Sequence, residues 1–274
     1  MDLNIISQIR IVDHSRILPF ECLDIKDDIN DISLDEMKLI HHPFLVTRFK
    51  NDYMLLNDTS YYESLKRAGL KHFPVQVVSP VNLDFKVNKL GLIGFKIEHL
   101  QHLAGKFPNR INISQNKDSF PNDNYLKVEF QFDNGSNLQK QYAFLRHSSR
   151  FGCPHSLENL FRAIRSYGDY VPIIEGNASD SSLMRICSLS GTMSLPLFNL
   201  NDVNSALESD NLFPPNIIVA KSDCRILNID FPMSVLLSNA PTDEKELFFK
   251  ELVNLRLQSR KFSYHEGQVY IFNY

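Results

Sequence analysis

This chain lacks most of the features that narrow a function quickly. No apolar run approaches the length of a membrane span, which argues against a helical membrane protein. The first residues, Met1 to Ile17, mix charges with apolar side chains and show neither the core nor the cleavage site of a signal peptide. Cysteine is scarce and scattered: Cys22, Cys153, Cys187 and Cys224 form no CxxC or Cys/His cluster. Free, partly buried thiols in a reducing cytosol are therefore expected, and a zinc site is not. An excess of one charge is missing as well. A formal net charge of −3 over 274 residues gives no global attraction to nucleic acid or to an anionic membrane. Tryptophan is absent, which excludes nothing. There is no internal repeat and no low-complexity tract.

What remains is an ordinary globular composition, 43% apolar and 22% charged, in a chain long enough for one large domain or two modest ones. Ile5 to Val12 reads as a first strand, followed by the polar turn Asp13-His14-Ser15 and an extended or loop segment, Pro19 to Leu23. Ser33, with Glu36 three residues on, has the capping-box spacing of a helix running to about Ile40 and ended by Pro43. Phe44 to Phe49 and Tyr53 to Leu56 read as strands around the turn Lys50-Asn51-Asp52. Tyr61 to Ala68 reads as a helix with Gly69 beyond its end, and Phe73 to Val78 as a returning strand. Together these give a small module of strands and helices over residues 1–80.

Further along, Gly105 to Asn124 reads as a polar connection. Tyr125 to Phe132 alternates apolar Leu126, Val128, Phe130 and Phe132 with polar neighbours. The Asp133-Asn134-Gly135 turn then pairs it with Gln139 to Leu145. Ser156 to Tyr167 is amphipathic, with Leu157, Leu160, Phe161 and Ile164 on one face and Arg162 and Arg165 on the other. Asn201 to Ser209 and Glu244 to Ser259 read as helices; Ile217 to Ala220, Arg225 to Ile229 and Gln268 to Tyr274 read as strands. The fold class expected is α+β, an N-terminal module over 1–80 and a mixed domain over 81–274.

The segment with most chemical potential is Asn57-Asp58-Thr59-Ser60-Tyr61. It lies where a strand gives way to a helix, a place that presents backbone N–H groups to an anion. The competing reading is a plain helix cap, in which Asp58, Thr59 or Ser60 bonds the first-turn N–H groups. Glu21 stands in an apolar context that favours its protonated form, which suits a proton acceptor; a structural loop carboxylate is the alternative. His41-His42 before Pro43 is read as the end of a helix rather than a metal site. Arg146 to Arg150 is the densest basic cluster and reads as a solvated strand end, with phosphate contact as the alternative; Arg162, Arg165 and Arg185 read as ordinary helix-surface charge, with a basic face toward an anion or DNA as the alternative. Cys153-Pro154-His155 is not read as a nucleophile.

The order of these features carries a resemblance. Glu21, then His42-Pro43 with a hairpin, the polar loop, Tyr62 to Leu70 and Pro74 to Val77 together resemble the ParB/sulfiredoxin superfamily. Within it they are most similar to the free L-serine kinases and the ParB-like kinase-regulators of staphyloferrin B siderophore clusters. Arg225 to Pro232 resembles the tail of the latter.

The resemblance implies a fold that holds ATP or ADP with Mg²⁺, and serine, with no other metal. It implies Glu21 as the base, Asp58 as the catalytic carboxylate, and Asn57, Asp58, Thr59, Ser60 and Tyr61 along the phosphates. The product would be O-phospho-L-serine, for siderophore or diaminopropionate synthesis. The family's loop reads Asp-Gly-X-His-Arg, so Ser60 and Tyr61 stand where its two cationic donors would be. Losing one charge-assisted phosphate contact costs on the order of 100- to 1000-fold in rate. A non-catalytic sensor of a nucleotide or amino acid is thus a second reading. A DNA-binding regulator is a third, with the net charge and the lack of a helix-turn-helix pattern against it.

Overall fold

The computed structural model describes residues 3–23, 32–120, 125–133, 138–147, 153–173, 188–258, 262–265 and 269–272. Mixed strands and helices make it an α+β protein, resolved into two compact units. One comprises residues 1–84 together with 220–274, the other residues 85–219. The domain expected over 81–274 is thus divided, because its last fifty-odd residues (220–274) fold with the N-terminal module.

In the first unit, strands β1 (Ile9–Asp13), β2 (Ile17–Pro19), β3 (Leu39–Ile40), β4 (Phe44–Phe49), β5 (Asp52–Leu55) and β6 (His72–Val78) flank helix α1 (Thr59–Arg67). Five of them form one sheet in the order β1-β6-β4-β5-β2. The β4–β5 hairpin is antiparallel, with Lys50 at φ 53° in its turn. β4 runs parallel to β6, and β2 parallel to β5. The strand expected from Ile5 begins only at Ile9, since Leu3–Gln8 winds as a 3₁₀ helix. α1 buries Tyr62 and Leu65 against the sheet, and the Tyr62 hydroxyl donates to the His14 carbonyl at 2.9 Å. Gly69, at φ 100°, supplies the left-handed residue that ends α1.

The helix expected after Ser33 is not formed. Only a turn at residues 34–36 follows, with the Glu36 N–H bonded to the Ser33 carbonyl at 3.2 Å. The backbone beyond is taken by a distant partner: β3 pairs antiparallel with Phe231–Pro232, and the Met233 N–H donates to the Lys38 carbonyl at 2.9 Å. A ladder to residues so far along the chain overrides a local capping pattern that has too little apolar periodicity behind it.

The same C-terminal segment is fastened at two further points. Gln76, fully buried on β6, accepts the Ile226 N–H at 3.0 Å and donates to the Cys224 carbonyl at 3.1 Å. The helix Thr242–Gln258 lays Phe249 and Val253 into the core and packs against β1. At its start Lys245, 1% exposed, sends its ammonium to the carbonyls of Leu236 and Ser238, each at 2.8 Å, and meets His72 Nδ1 at 3.1 Å. Leu236 is the last residue of the short helix Met233–Leu236, where carbonyls run out of intrahelical donors, and Ser238 follows just beyond it.

The second unit is a six-stranded antiparallel sheet ordered 169–173, 89–93, 191–194, 125–133, 138–146, 111–114. The expected hairpin is there in register, Tyr125 opposite Arg146 and Asp133 opposite Leu138; Asn134 and Gly135 lie outside the described residues. The helix Cys153–Tyr167 buries Leu157, Leu160, Phe161 and Ile164. The expected polar connection from Gly105 in fact contains the end of the helix Ile97–Lys106 and the strand Ile111–Ser114.

Replacing Lys245 with methionine keeps the apolar stem and strands two buried carbonyls. A loss of about 2–3 kcal/mol of stability is expected, read as a lower urea midpoint at unchanged m-value.

Candidate functional site

β5 ends at Leu55, and the next two residues continue its ladder in altered form. The Leu56 N–H bonds the Leu45 carbonyl at 2.8 Å. The Asn57 side-chain oxygen then accepts the Leu45 N–H at 2.6 Å, a side chain standing in for a strand. The Asn57 amide also donates to the Asp58 carboxylate. Asp58 itself sits at φ 55°, ψ 38°, in the left-handed region where glycine is at ease and aspartate is tolerated.

This turn corrects the cap expectation for Asp58. Its carboxylate is exposed and makes no capping hydrogen bond, and the first turn of α1 contains no acidic residue. Thr59 and Ser60 lie inside the helix rather than before it. The helix thus begins with N–H groups that the Asp58 side chain does not cap, where the helix dipole favours an anion. Tyr61 follows on the outer face, 38% exposed, its ring stacked on Phe44 at 5.7 Å. Burial, and then the nearby Asp58 charge, pushes the Tyr61 hydroxyl above its ordinary value.

Glu21 reaches the same end of the sheet. β2 and β5 run side by side with Pro19 opposite Leu55, so Glu21 and Asn57 each stand two residues past the last paired position. Phe20, 1% exposed, anchors the chain just before Glu21, whose Oε1 is shielded from solvent.

Several residues join this corner that the sequence did not mark as functional. Arg225 lies within electrostatic reach of Asp58: burial pulls its guanidinium below the ordinary value, and the Asp58 carboxylate opposes that. Its Nη1 is buried with no hydrogen-bond partner among the described residues. His42 Nδ1 accepts the Asn228 N–H at 2.9 Å. His41 Nδ1 lies 2.7 Å from Asp230, which is 4% exposed. Arg256 stands 3.6 Å from the same carboxylate and donates to the Asn228 carbonyl at 2.8 Å. Asn228 and Asp230 both have positive φ, 55° and 58°, so this segment is a tight, pinned turn. The two histidines fasten it rather than ending a helix. The one trace in the sequence was the run Arg225 to Pro232, noted for its resemblance alone.

Among the described residues no group of three or more His, Cys, Asp or Glu could hold a metal ion. Nor is any helix there long and apolar enough to cross a membrane. Cys22 and Cys224 are half-buried and in no disulfide, with the Cys224 thiol pushed up by burial.

No family model and no curated protein matches the chain. Solved structures do. SbnI from Staphylococcus aureus, with a C-terminal truncation, superposes with a TM-score of 0.71 at 16% identity, covering 93% of this chain and all of that one. A conserved hypothetical protein from Pyrococcus furiosus gives 0.61 at 11% identity, over 84% of this chain and 97% of that one. A free serine kinase in complex with AMP gives 0.57 at 12% identity, over 78% and 87%; a mutant form of a free serine kinase was solved with ADP. The chain therefore has a free-serine-kinase-like fold.

Desolvation, then the charges of His41 and Arg225, holds His42 below its ordinary value of 6.5. Its Nδ1 accepts a hydrogen bond, so the neutral ring is the form the fold uses. A group with a lowered folded pKa contributes stability above its unfolded value that is lost as pH falls through the folded one. Urea midpoints taken between about pH 5 and 8 should drop on the acid side. His42→Gln should flatten that part of the profile; an unchanged acid slope in the variant would show that His42 has no part in it.

Proposed function

We propose that this chain binds an adenine nucleotide, ATP or ADP, at the start of α1 and transfers its terminal phosphoryl group to the hydroxyl of free L-serine. The observation that carries the reading is the left-handed turn at Asp58, which leaves the first amides of α1 without an aspartate cap. It occurs in a fold shared with free serine kinases solved with ADP and AMP.

The residues present fit the nucleotide. The amides of Thr59, Ser60 and Tyr61 would meet phosphate oxygens, and the Arg225 guanidinium supplies a cation close to the loop. Arg225 thereby takes over part of the role of the cationic pair that Ser60 and Tyr61 replace. Mg²⁺ needs only one or two carboxylates beside substrate phosphates, and the exposed carboxylate of Asp58 would hold it with Asn57 orienting that group. When bound, the ion would neutralise charge on the phosphates. Glu21 takes the proton of the serine hydroxyl as its oxygen attacks the terminal phosphorus and the bond to the leaving phosphate oxygen breaks. The product, O-phospho-L-serine, is a precursor suited to diaminopropionate or siderophore synthesis.

A second reading, a nucleotide sensor without turnover, draws on Tyr61, whose ring stacks on Phe44 at the position of a phosphate-binding cation. One set of assays separates the two. With ATP or ADP, Mg²⁺ and serine, the protein should form phosphoserine detectable by mass spectrometry. Glu21→Gln should lose about 100-fold or more of that rate while keeping the nucleotide-induced thermal shift. Arg225→Met should weaken nucleotide binding about tenfold. A thermal shift with no phosphoserine at high enzyme selects the sensor; no shift with any adenine nucleotide overturns both.

A further inference from the structure

The second unit contains a concave site that the serine-kinase reading does not use. A groove of about 440 Å³ opens between the helices Ile97–Lys106 and Cys153–Tyr167 beside the ends of the strands at 111–114 and 138–146. Its floor is apolar: Leu103, Ile111 and Leu145 are 3%, 7% and 2% exposed. Phe107, 39% exposed, forms an apolar wall.

The rim has one sign. Lys106, Arg110, Arg146 and Arg162 all line the groove. Arg162 is already engaged, bonded to Glu158 at 2.6 Å, and Glu158 also approaches His155 at 3.8 Å. Lys106 lies over the Phe107 ring at 5.6 Å. Among the described residues Lys106, Arg110 and Arg146 have no ion pair and no carboxylate lines the groove. Arg146 and Arg162 belong to the two basic groups visible in the sequence; the fold brings them to one opening. Arg165 is set apart from them, bonded to the Tyr170 hydroxyl at 2.7 Å.

An apolar floor beneath cations that have no ion pair among the described residues is complementary to an amphipathic anion. A nucleic-acid strand tracks an extended groove with stacking aromatics, whereas this opening has a short apolar floor and is sized for a small molecule. Guanidinium groups present paired donors in a plane that matches a carboxylate. We propose that this groove is a second ligand site, for a small organic carboxylate whose apolar body rests on Leu103, Ile111 and Leu145 and whose head meets Arg110 and Arg146. The groove shares no residue with the nucleotide corner at α1.

The probes are 1-anilinonaphthalene-8-sulfonate, an aromatic anion that brightens in apolar surroundings, and decanoate as competitor. The folded protein should bind the dye saturably, and decanoate should displace it. The double variant Arg110→Gln/Arg146→Gln, at two exposed positions, should weaken dye and decanoate about tenfold or more. Ala163→Phe keeps every cation but fills the groove, and should weaken both to a similar degree. Thermal midpoints by circular dichroism confirm that each variant is folded. Equal dye affinity in all three proteins overturns the proposal. So does displacement by inorganic phosphate or ADP with decanoate without effect, since the site would then read phosphate rather than a carboxylate with an apolar body.

Discussion

The Asn57 side chain holds the Leu45 N–H, and that single contact governs the geometry of the candidate site. It lets the chain leave β5, reverse through one left-handed residue, and enter α1 without another strand to satisfy Leu45. A non-glycine residue at positive φ carries a conformational cost of about 1–2 kcal/mol, and the Asn57-to-Asp58 bond helps to offset it. Asp58 is spent on the turn rather than on capping the first amides of α1. Sheet register then brings Glu21 to the same edge.

The second requirement is a cation, and it comes from the far end of the chain. Residues 220–274 fold with the first module through backbone pairing to β3, the buried Gln76 amide, and helix packing on β1. Arg225 lies between Cys224 and Ile226, both of whose backbone groups are tied to Gln76, so its position is set by a buried, fully used amide rather than by a flexible loop. His41, His42, Asp230 and Arg256 pin the turn that follows. A guanidinium distant in sequence thereby lies within electrostatic reach of Asp58.

What could be read from the sequence follows from locality. The β4–β5 hairpin, α1 with Gly69, β6 and the long hairpin of the second unit all announce themselves through alternation, turn residues and a C-terminal glycine within a few positions. The region after Ser33 misled for the complementary reason. Ser33 and Glu36 have cap spacing, while the fate of Leu39 and Ile40 is decided by Phe231 and Pro232. Asp58 is subtler. Its residue type suits a cap and a left-handed turn equally, and only the backbone angle distinguishes them. Arg225 carries no local sign of its task, because its partner in charge lies in a different part of the chain. The return of the C-terminal segment to the first unit had no local sign in the sequence.

The central claim is that the start of α1 is built to receive phosphate. Backbone amide chemical shifts recorded during an ADP titration test it directly, since each N–H reports on its own bonding. The largest changes should fall on Thr59, Ser60 and Tyr61, with Arg225 responding at its side-chain resonances. A titration that leaves these amides still, whether or not others move, would contradict the account.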